Sequence, residues 1–289
     1  MFEFQAVAEP QPGPLLQARF EATWPAYRRW YLRDGDAARP SYPVVRDALR
    51  AHMPELLPAW EQIVELAGGG DLAARMLSLY DPPPLVTGCS QAVVGGTLIR
   101  NYDFDPALLE GVIARTELTR PVIGMSDCIW GLLDGVNDAG LSMSLAFGGR
   151  RDTAPGFAMP LVVRYLLELC ATTEEAVDTL ARLPVQASYN LTILDSTGEA
   201  VTAHVSPDRP LSVGKALGAT NHQHAVEWPE HAEAVRSEER ERHMLELIDD
   251  GELGIDRFLE PPLYSTDYDD GFEEASRTAR IPSSNASQD

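Results

Sequence analysis

The spacing of apolar residues divides the chain into a helical first part and a strand-rich remainder. Between Leu15 and Tyr80, large apolar residues recur every three or four positions, which is typical of helices with one buried face. The consecutive prolines Pro82, Pro83 and Pro84 then form a stiff stretch that cannot lie inside a helix. The pattern therefore predicts a boundary at these prolines.

Beyond this boundary, short apolar runs separated by turn residues predict a sheet and a few helices. Strands are predicted over residues 86–94, 97–102, 112–118, 129–136, 141–147, 189–195, 199–205 and 217–221, and helices over 157–170, 174–182 and 231–250. Gly95 and Gly96 between the first two strands have the composition of a tight hairpin turn. Thr172 and Glu175 stand at capping-box spacing before the second helix. This order of elements favours an α+β sandwich over alternating βαβ units.

Composition and charge narrow the class of protein. The 289 residues are 44% hydrophobic and 23% charged, which is typical of a folded, water-soluble chain. A formal net charge of -21 argues against a nucleic acid or an anionic membrane as partner. Neither a secretory signal nor a membrane-spanning run is evident, and the three cysteines, Cys89, Cys128 and Cys170, favour free thiols over a disulfide framework. We therefore expect a cytoplasmic protein in which Cys128 and Cys170 are core residues.

Cys89 is the thiol whose surroundings suggest chemistry. It follows Gly88 at the start of a predicted strand, where a glycine allows an unusual backbone geometry. Attack of the thiol on the Gly88 carbonyl, followed by hydrolysis of the thioester, would leave Cys89 as a new N-terminus. Its α-amino group, with an unperturbed pKa of roughly 7.7 to 8.0, could then accept the thiol proton near neutral pH. On residue type alone, a buried strand cysteine is the better interpretation.

The predicted hairpin partner of Cys89 supplies charged groups. Arg100 and Asp103 follow Cys89 across the glycine turn, so a guanidinium could favour the thiolate and a carboxylate could hold the amine or the substrate. Alone, the pair is a weak signal, because an arginine and an aspartate flanking a strand more often form a surface ion pair. Asp103 with Asp105 would equally suit glycoside or metal chemistry.

Histidines offer two alternatives. His222, His224 and His231 could suggest a metal cluster, but no cysteine or carboxylate at a suitable spacing completes it, and we expect no metal. His222 could instead act as the general base to Cys89 in an uncleaved chain, in a papain-like arrangement. The sequence leaves this second alternative open.

The order of these motifs resembles that of a known family. Gly88-Cys89, a hairpin and Arg100-Asn101-Tyr102-Asp103 match the signature of the penicillin acyltransferase-like and choloylglycine hydrolase-like N-terminal nucleophile (Ntn) hydrolases. Further matching segments are residues 130–141, Tyr189-Asn190-Leu191, Thr220-Asn221-His222 and 237–240. The resemblance covers about residues 15 to 248, and the N-terminal stretch resembles the propeptide side of the acyltransferase branch.

The resemblance implies a four-layer αββα sandwich and a role for six residues. These are Cys89 as nucleophile and, through its amine, base; Arg100 beside the thiol; Asp103 at the amine or substrate; Asn137, whose backbone N–H would face the oxyanion; Asn221 as the second oxyanion donor; and Arg240, which would close the site by a salt link. From the residues alone, Asn137 could equally be a turn residue and Arg240 a solvated helix position.

The resemblance also implies a division of the chain and an activity. Residues 1–88 would be a helical propeptide or α-subunit, 89–270 the catalytic domain, and 271–289 a divergent tail, expected to be disordered, because the strand that family members carry there is missing after Gly271. The expected function is an autoproteolytic cysteine amidohydrolase or acyltransferase that acts on a linear amide or acyl group other than a standard peptide bond, without a cofactor. Expected partners are a small-molecule amide or acyl donor, the two cleaved fragments as a heterodimer, and further copies of the chain. The alternative is a non-catalytic or truncated family member with a binding or structural role.

Overall fold

The structure, a computed structural model, describes residues 4–103, 109–215 and 217–264. Its first part is helical, as the periodicity predicts. The helices are α1 (Pro14–Tyr31), α2 (Tyr42–His52), α3 (Leu57–Leu66) and α4 (Asp71–Leu77). Trp30 and Trp60 from these helices are fully buried, in the same hydrophobic core as Trp130. The N-terminal helices are therefore an integral part of the main core.

Eleven described strands, numbered in chain order, form two sheets. The large sheet has the order β1 (Gln5–Ala8), β4 (Val112–Glu117), β5 (Pro121–Asp127), β6 (Gly131–Asn137), β7 (Ser142–Phe147), β8 (Tyr189–Leu194), β9 (Ala200–Ser206), β10 (Arg209–Gly214). The small sheet has the order β11 (Gly218–Ala219), β2 (Gly88–Val94), β3 (Thr97–Asp103). Neighbouring strands are antiparallel except β1, which pairs parallel to β4.

The two sheets face each other between two layers of helices. Helices α5 (Met159–Leu169) and α6 (Thr173–Leu180) cover the large sheet. On the other side, α8 (Ser237–Asp249), preceded by α7 (Pro229–Ala234), and α9 (Ile255–Phe258) cover the small sheet. The structure thus has the four αββα layers of the predicted sandwich. Among the described residues, no helix combines the length and the apolar character that crossing a bilayer requires.

The differences from the predicted elements have local causes. Strands β1, β5 and β10 were not predicted. β5 contains Gly124, whose backbone lies so close to the neighbouring strand that a Cβ would collide with the Asp134 carbonyl. The close approach of the two strands therefore requires a glycine, and a glycine weakens the sequence pattern of a strand. The single helix predicted over 231–250 is two helices, because Arg236 between them adopts a left-handed conformation with φ of 50°.

Two predictions cannot be compared with the structure in this way. The tail 271–289 lies outside the described residues, as does Asp105. Residues from both 1–88 and 89–270 contribute to one hydrophobic core, so the packing does not separate these two parts. Their division depends on cleavage before Cys89 and stays a prediction.

Candidate active site around Cys89

The β2–β3 hairpin sets the position of the thiol. Gly95 and Gly96 both have positive φ, and the register pairs Cys89 with Tyr102 and Gly88 with Asp103. Because successive side chains of a strand point to opposite faces, Cys89 and Tyr102 face the large sheet, while Ser90 and Asp103 face α8. The thiol is therefore enclosed between the sheets, and Cys89 is fully buried.

Arg100 reaches the thiol from the same face of the hairpin. Its Nη2 lies 3.4 Å from Cys89 Sγ, its Nη1 donates to Asp134 Oδ2 at 2.9 Å, and its Nε donates to the Leu145 carbonyl at 3.2 Å. Burial opposes the charge, but Cys89 and Asp134 outweigh it and raise the pKa of Arg100 above its usual range. The Arg100 guanidinium is therefore a permanent cation held beside the sulfur by two further hydrogen bonds.

Asn221 holds the backbone of Cys89 from the loop after β11. Its Oδ1 accepts hydrogen bonds from the Cys89 N–H and from Arg240 Nη2, both at 2.7 Å. Its Nδ2 donates to the carbonyls of Thr87 at 3.0 Å and Phe147 at 3.1 Å. These partners fix the orientation of the side-chain amide, because Oδ1 accepts from two donors and Nδ2 donates to two acceptors.

Arg240 approaches the same residue from α8. It is buried, and its Nη1 donates to the Cys89 carbonyl at 2.6 Å and to Ser90 Oγ at 2.7 Å. The same nitrogen lies 3.5 Å from Asp103 Oδ2, so Arg240 and Asp103 form an ion pair. Asp103 is aligned with Gly88 in the hairpin, which puts this ion pair next to the Gly88–Cys89 bond. The structure thus brings Cys89, Arg100, Asp103, Asn221 and Arg240 together.

Asn137 is the predicted site residue that the structure does not bring into this cluster. Its backbone N–H donates to the Leu141 carbonyl, and its Nδ2 donates to the carbonyls of Leu167 and Cys170. Its Oδ1 accepts from the N–H groups of Ala139 and Leu141. The N–H expected to face the oxyanion is thus engaged inside the β6–β7 turn, which corrects that expectation and makes Asn137 a turn residue.

The histidine alternatives do not fit the geometry. His222 contacts Ser237 Oγ at 2.8 Å through Nδ1 and Glu241 Oε2 at 2.9 Å through Nε2, so both ring nitrogens are engaged away from Cys89. The ring centroid of His231 lies 5.2 Å from that of Phe147, and the ring of His224 packs against the ring of His204. Among the described residues, no group of three or more histidine, cysteine or acidic side chains is arranged to hold a metal ion.

The other two cysteines are core residues. Cys128 and Cys170 are buried, and burial raises the pKa of both thiols. For Cys128 the carboxylates of Asp127 and Glu110 raise the pKa further. A thiol with a raised pKa carries little thiolate near neutral pH, so neither resembles a nucleophile.

The segment before Cys89 lies across the site. The Thr87 hydroxyl is 3.6 Å from Cys89 Sγ, the Tyr189 hydroxyl donates to the Leu85 carbonyl at 2.9 Å, and Gln186 Nε2 donates to the Pro82 carbonyl at 2.7 Å. Gln186 and Tyr189 hold this segment from about a hundred positions further along the chain, so no local pattern in the sequence indicates these two contacts.

Gly149 is a further site residue that the sequence does not reveal. Its φ is +68°, and a Cβ there would collide with the Asn221 carbonyl. We expect Gly149→Ala to displace Asn221 and to slow self-cleavage and turnover by roughly 10- to 100-fold, because a small misplacement of a catalytic group has effects of this size. The measurement is the rate of each reaction in the variant relative to the unchanged protein.

Gly198→Ala is the matched control for this substitution. Gly198 also has a positive φ, of +88°, but nothing lies within 4 Å of its added Cβ. It should lose stability through backbone strain and keep both rates. Equal rate losses in the two variants would show that strain alone accounts for the effect.

Comparison with known proteins relates this chain to a family. Residues 92–259, more than half of the chain, match the family described as "Acyl-coenzyme A:6-aminopenicillanic acid acyl-transferase". No curated protein matches the chain. The matched stretch contains Arg100, Asp103, Asn221 and Arg240, and it begins three residues after Cys89.

Two solved structures that the chain resembles are hydrolases or acylases. A mutant of the conjugated bile acid hydrolase from Clostridium perfringens has a TM-score of 0.30 and 12% identity, with 52% of this chain and 49% of that one covered. Penicillin V acylase from Agrobacterium tumefaciens has a TM-score of 0.32 and 15% identity, with 71% and 68% covered. The chain thus spans about half the length of the bile acid hydrolase. From the family match over more than half of its length, the chain belongs to the acyl-coenzyme A:6-aminopenicillanic acid acyl-transferase family.

Proposed function

We propose that the chain is an autoproteolytic amidohydrolase or acyltransferase with Cys89 as its nucleophile. One observation carries this proposal: a buried thiol lies 3.4 Å from a guanidinium, while the N–H and C=O of the same residue are held by Asn221 and Arg240. A cysteine that served only the core would not need its backbone and its sulfur to be bound by three separate polar side chains.

The first reaction is cleavage of the chain before Cys89. The sulfur attacks the Gly88 carbonyl carbon, and the Gly88–Cys89 C–N bond breaks as the nitrogen takes up a proton. The product is a thioester between Gly88 and the Cys89 sulfur, with a free α-amine on Cys89. Water hydrolyses the thioester, which leaves a carboxylate on Gly88 and returns the thiol.

The second reaction is turnover at the new N-terminus. The α-amine accepts the thiol proton, the sulfur attacks the carbonyl of a small-molecule amide or other acyl donor, and the leaving group departs with a proton. Water or an amine then takes the acyl group from the sulfur, and no cofactor enters these steps. Once the Thr87 carbonyl has left, the Asn221 Nδ2 that bound it can donate to the oxyanion.

The assembly and location of the enzyme are parts of the same proposal. The shared core of the N-terminal helices and the sheets supports a heterodimer in which the two fragments stay together after cleavage. Homo-oligomerisation stays a prediction. So does a cytoplasmic location, which the three free cysteines support.

Intact mass and active-site labelling together test the function. The purified protein is followed by mass spectrometry over days, and the labelled residue is mapped after reaction with an activated thioester. We expect two chains, divided between Gly88 and Cys89, with the acyl group on Cys89. A single chain in which Cys89 takes no label would contradict the proposal and favour the binding or structural role.

Thr87 gives a prediction that separates the two reactions. Thr87→Val removes the hydroxyl 3.6 Å from the sulfur, and we expect self-cleavage to slow by roughly five- to tenfold, the equivalent of about 1 kcal/mol for one hydrogen bond. After complete cleavage the turnover rate should be unchanged, because residue 87 then belongs to the other fragment. Time courses of intact mass and of substrate consumption measure the two rates.

Thr192→Val is the control for the loss of a buried threonine hydroxyl. Thr192 contacts Thr202 between two strands of the large sheet. Equal slowing of cleavage in both variants would assign the effect to general destabilisation. A lower turnover rate of cleaved Thr87→Val would show that the role of residue 87 extends beyond cleavage.

A further inference from the structure

A small cavity lies between the β2–β3 hairpin and the large sheet, and two of the residues that line it are close to Cys89. Thr87, whose hydroxyl is 3.6 Å from Cys89 Sγ, and Tyr102, which pairs with Cys89 across the hairpin, form its near wall. The rest of its lining is Leu85, Asp127, Leu133, Leu145, Pro160 and Tyr189. Its volume is about 10 Å³ in the intact chain, roughly the space of one water molecule.

The wall formed by Leu85 and Thr87 belongs to the acyl side of the bond that is cut. In self-cleavage the chain ending at Gly88 is the acyl group that the sulfur takes. The space that residues 85–87 occupy, together with the cavity beside them, is therefore where an acyl group lies when its carbonyl is presented to Cys89. Departure of this segment would enlarge the cavity into an acyl subsite.

Asp127 supplies the charge in this otherwise neutral lining. It ends β5 and is 7% exposed. Its Oδ2 is 3.7 Å from the Cys128 thiol, and within the described part of the chain no lysine, arginine or histidine nitrogen lies within 4 Å of the carboxylate. A buried carboxylate without a close cation is costly, so a residue of this kind at a subsite suits a ligand that brings the cation.

The groups around Asp127 also favour a cationic ligand. Burial and the nearby carboxylate of Glu110 raise the pKa of Asp127 to about 7, although hydrogen bonds from the Cys128 N–H and thiol, and the more distant Arg100, lower it in part. Glu110 itself accepts hydrogen bonds from the Tyr27 hydroxyl and the Ile129 N–H. An ammonium group placed against Asp127 would favour the ionised carboxylate.

We propose that the acyl subsite selects acyl groups that carry a protonated amine, with Asp127 as the residue that binds the ammonium. The donors would be aminoacyl compounds. This inference rests on the proposed function, because it requires Cys89 to accept an acyl group.

Matched acylating reagents test the inference. Two pairs of thioesters are used, alanyl with 2-methylpropanoyl and β-alanyl with butanoyl, in which an ammonium replaces a methyl group of nearly equal size. The rate of Cys89 acylation in the fully cleaved protein is followed by intact mass. Each rate is divided by that of the same thioester with cysteine methyl ester in solution, which removes differences in intrinsic reactivity.

We expect the cationic member of at least one pair to acylate Cys89 at least about tenfold faster after this correction, since a group that meets its buried partner gains by such factors. Asp127→Asn should abolish the preference, so that the two members of each pair acylate Cys89 at equal corrected rates. Asp195→Asn, which changes a buried carboxylate bonded to Thr173 and Thr197, should keep the preference.

The outcomes separate this inference from the proposed function. If Cys89 is acylated but the neutral reagents react as fast as the cationic ones, or if the preference survives in Asp127→Asn, the inference is overturned and the function stands. If no reagent acylates Cys89, both are overturned. The ratio in the unchanged protein decides the matter even where Asp127→Asn does not fold.

Discussion

The Cys89→Ala variant is expected to remain a single chain of 289 residues and to turn over no substrate. The alanine has no sulfur to attack the Gly88 carbonyl, so neither the thioester nor the free α-amine can form. The Arg100 guanidinium, held by Asp134 and the Leu145 carbonyl, would keep its place beside the missing sulfur. Intact mass after prolonged incubation and a sensitive turnover assay measure both losses.

Cys170→Ala is the matched control for the loss of a buried cysteine. Cys170 directly follows α5, and its sulfur contacts the hydroxyl of Thr179 in α6, with no hydrogen bond to the Cys89 cluster. It should be cleaved and should turn over substrate as the unchanged protein does. Cleavage of Cys89→Ala at the Gly88 position would refute the assignment of the nucleophile, whatever its turnover.

The parts of the site that the sequence could predict are those that depend on local structure. The Gly95-Gly96 turn fixes the hairpin register, and this register aligns Asp103 with Gly88 and places Arg100 on the same face of the hairpin as Cys89. A two-residue turn leaves little freedom in such a pairing. The charged groups of the hairpin could therefore be located from their spacing in the chain.

Residues that reach the site from distant elements could be placed only by resemblance. Asn221 and Arg240 lie more than 130 residues after Cys89, and no periodicity or turn signal links them to it. Arg240 in particular stands among charged residues of α8, a pattern that equally predicts a solvated position. Its burial depends on how α8 packs on the small sheet, which is a property of the assembled layers.

For Asn137, the residues around it predict the structure better than the resemblance does, because they indicate a turn residue. It stands in an Asn-Asp-Ala-Gly turn, and its side chain satisfies N–H groups of that turn and carbonyls at the end of α5. Asp127 leaves no signal in the sequence, because its significance comes from a cavity formed by β3, β5, β6, β7, β8, α5 and the segment before Cys89. Cavities of this kind are formed by tertiary packing and cannot be read from one stretch of sequence.

The second large effect is expected at Asn221. Its Nδ2 donates to the carbonyl of Thr87, and cleavage followed by departure of that segment would leave this N–H directed at the position beside Cys89. A donor aimed at the oxyanion stabilises charge that develops only in the transition state. We therefore expect Asn221→Ala to lower kcat by roughly 10²- to 10³-fold, with a smaller effect on KM.

Asn221→Asp sharpens this prediction because it keeps the shape of the side chain. The oxygen that replaces Nδ2 would face the carbonyls of Thr87 and Phe147 and, after cleavage, the substrate oxyanion, so it should lower kcat at least as much as alanine does. The remaining Oδ1 could still accept from the Cys89 N–H and from Arg240. A loss of activity in this variant would therefore point to the missing donor.

Asn137→Ala is the control that matches Asn221→Ala in its chemistry. Each amide is buried, donates to two backbone carbonyls and accepts two hydrogen bonds. Both substitutions should lower the free energy of unfolding, but only the one at Asn221 should lower kcat per folded, cleaved molecule. A comparable fall in kcat for Asn137→Ala, measured on material of the same folded fraction, would return Asn137 to the oxyanion site, because a turn residue that is remote from Cys89 cannot stabilise charge there.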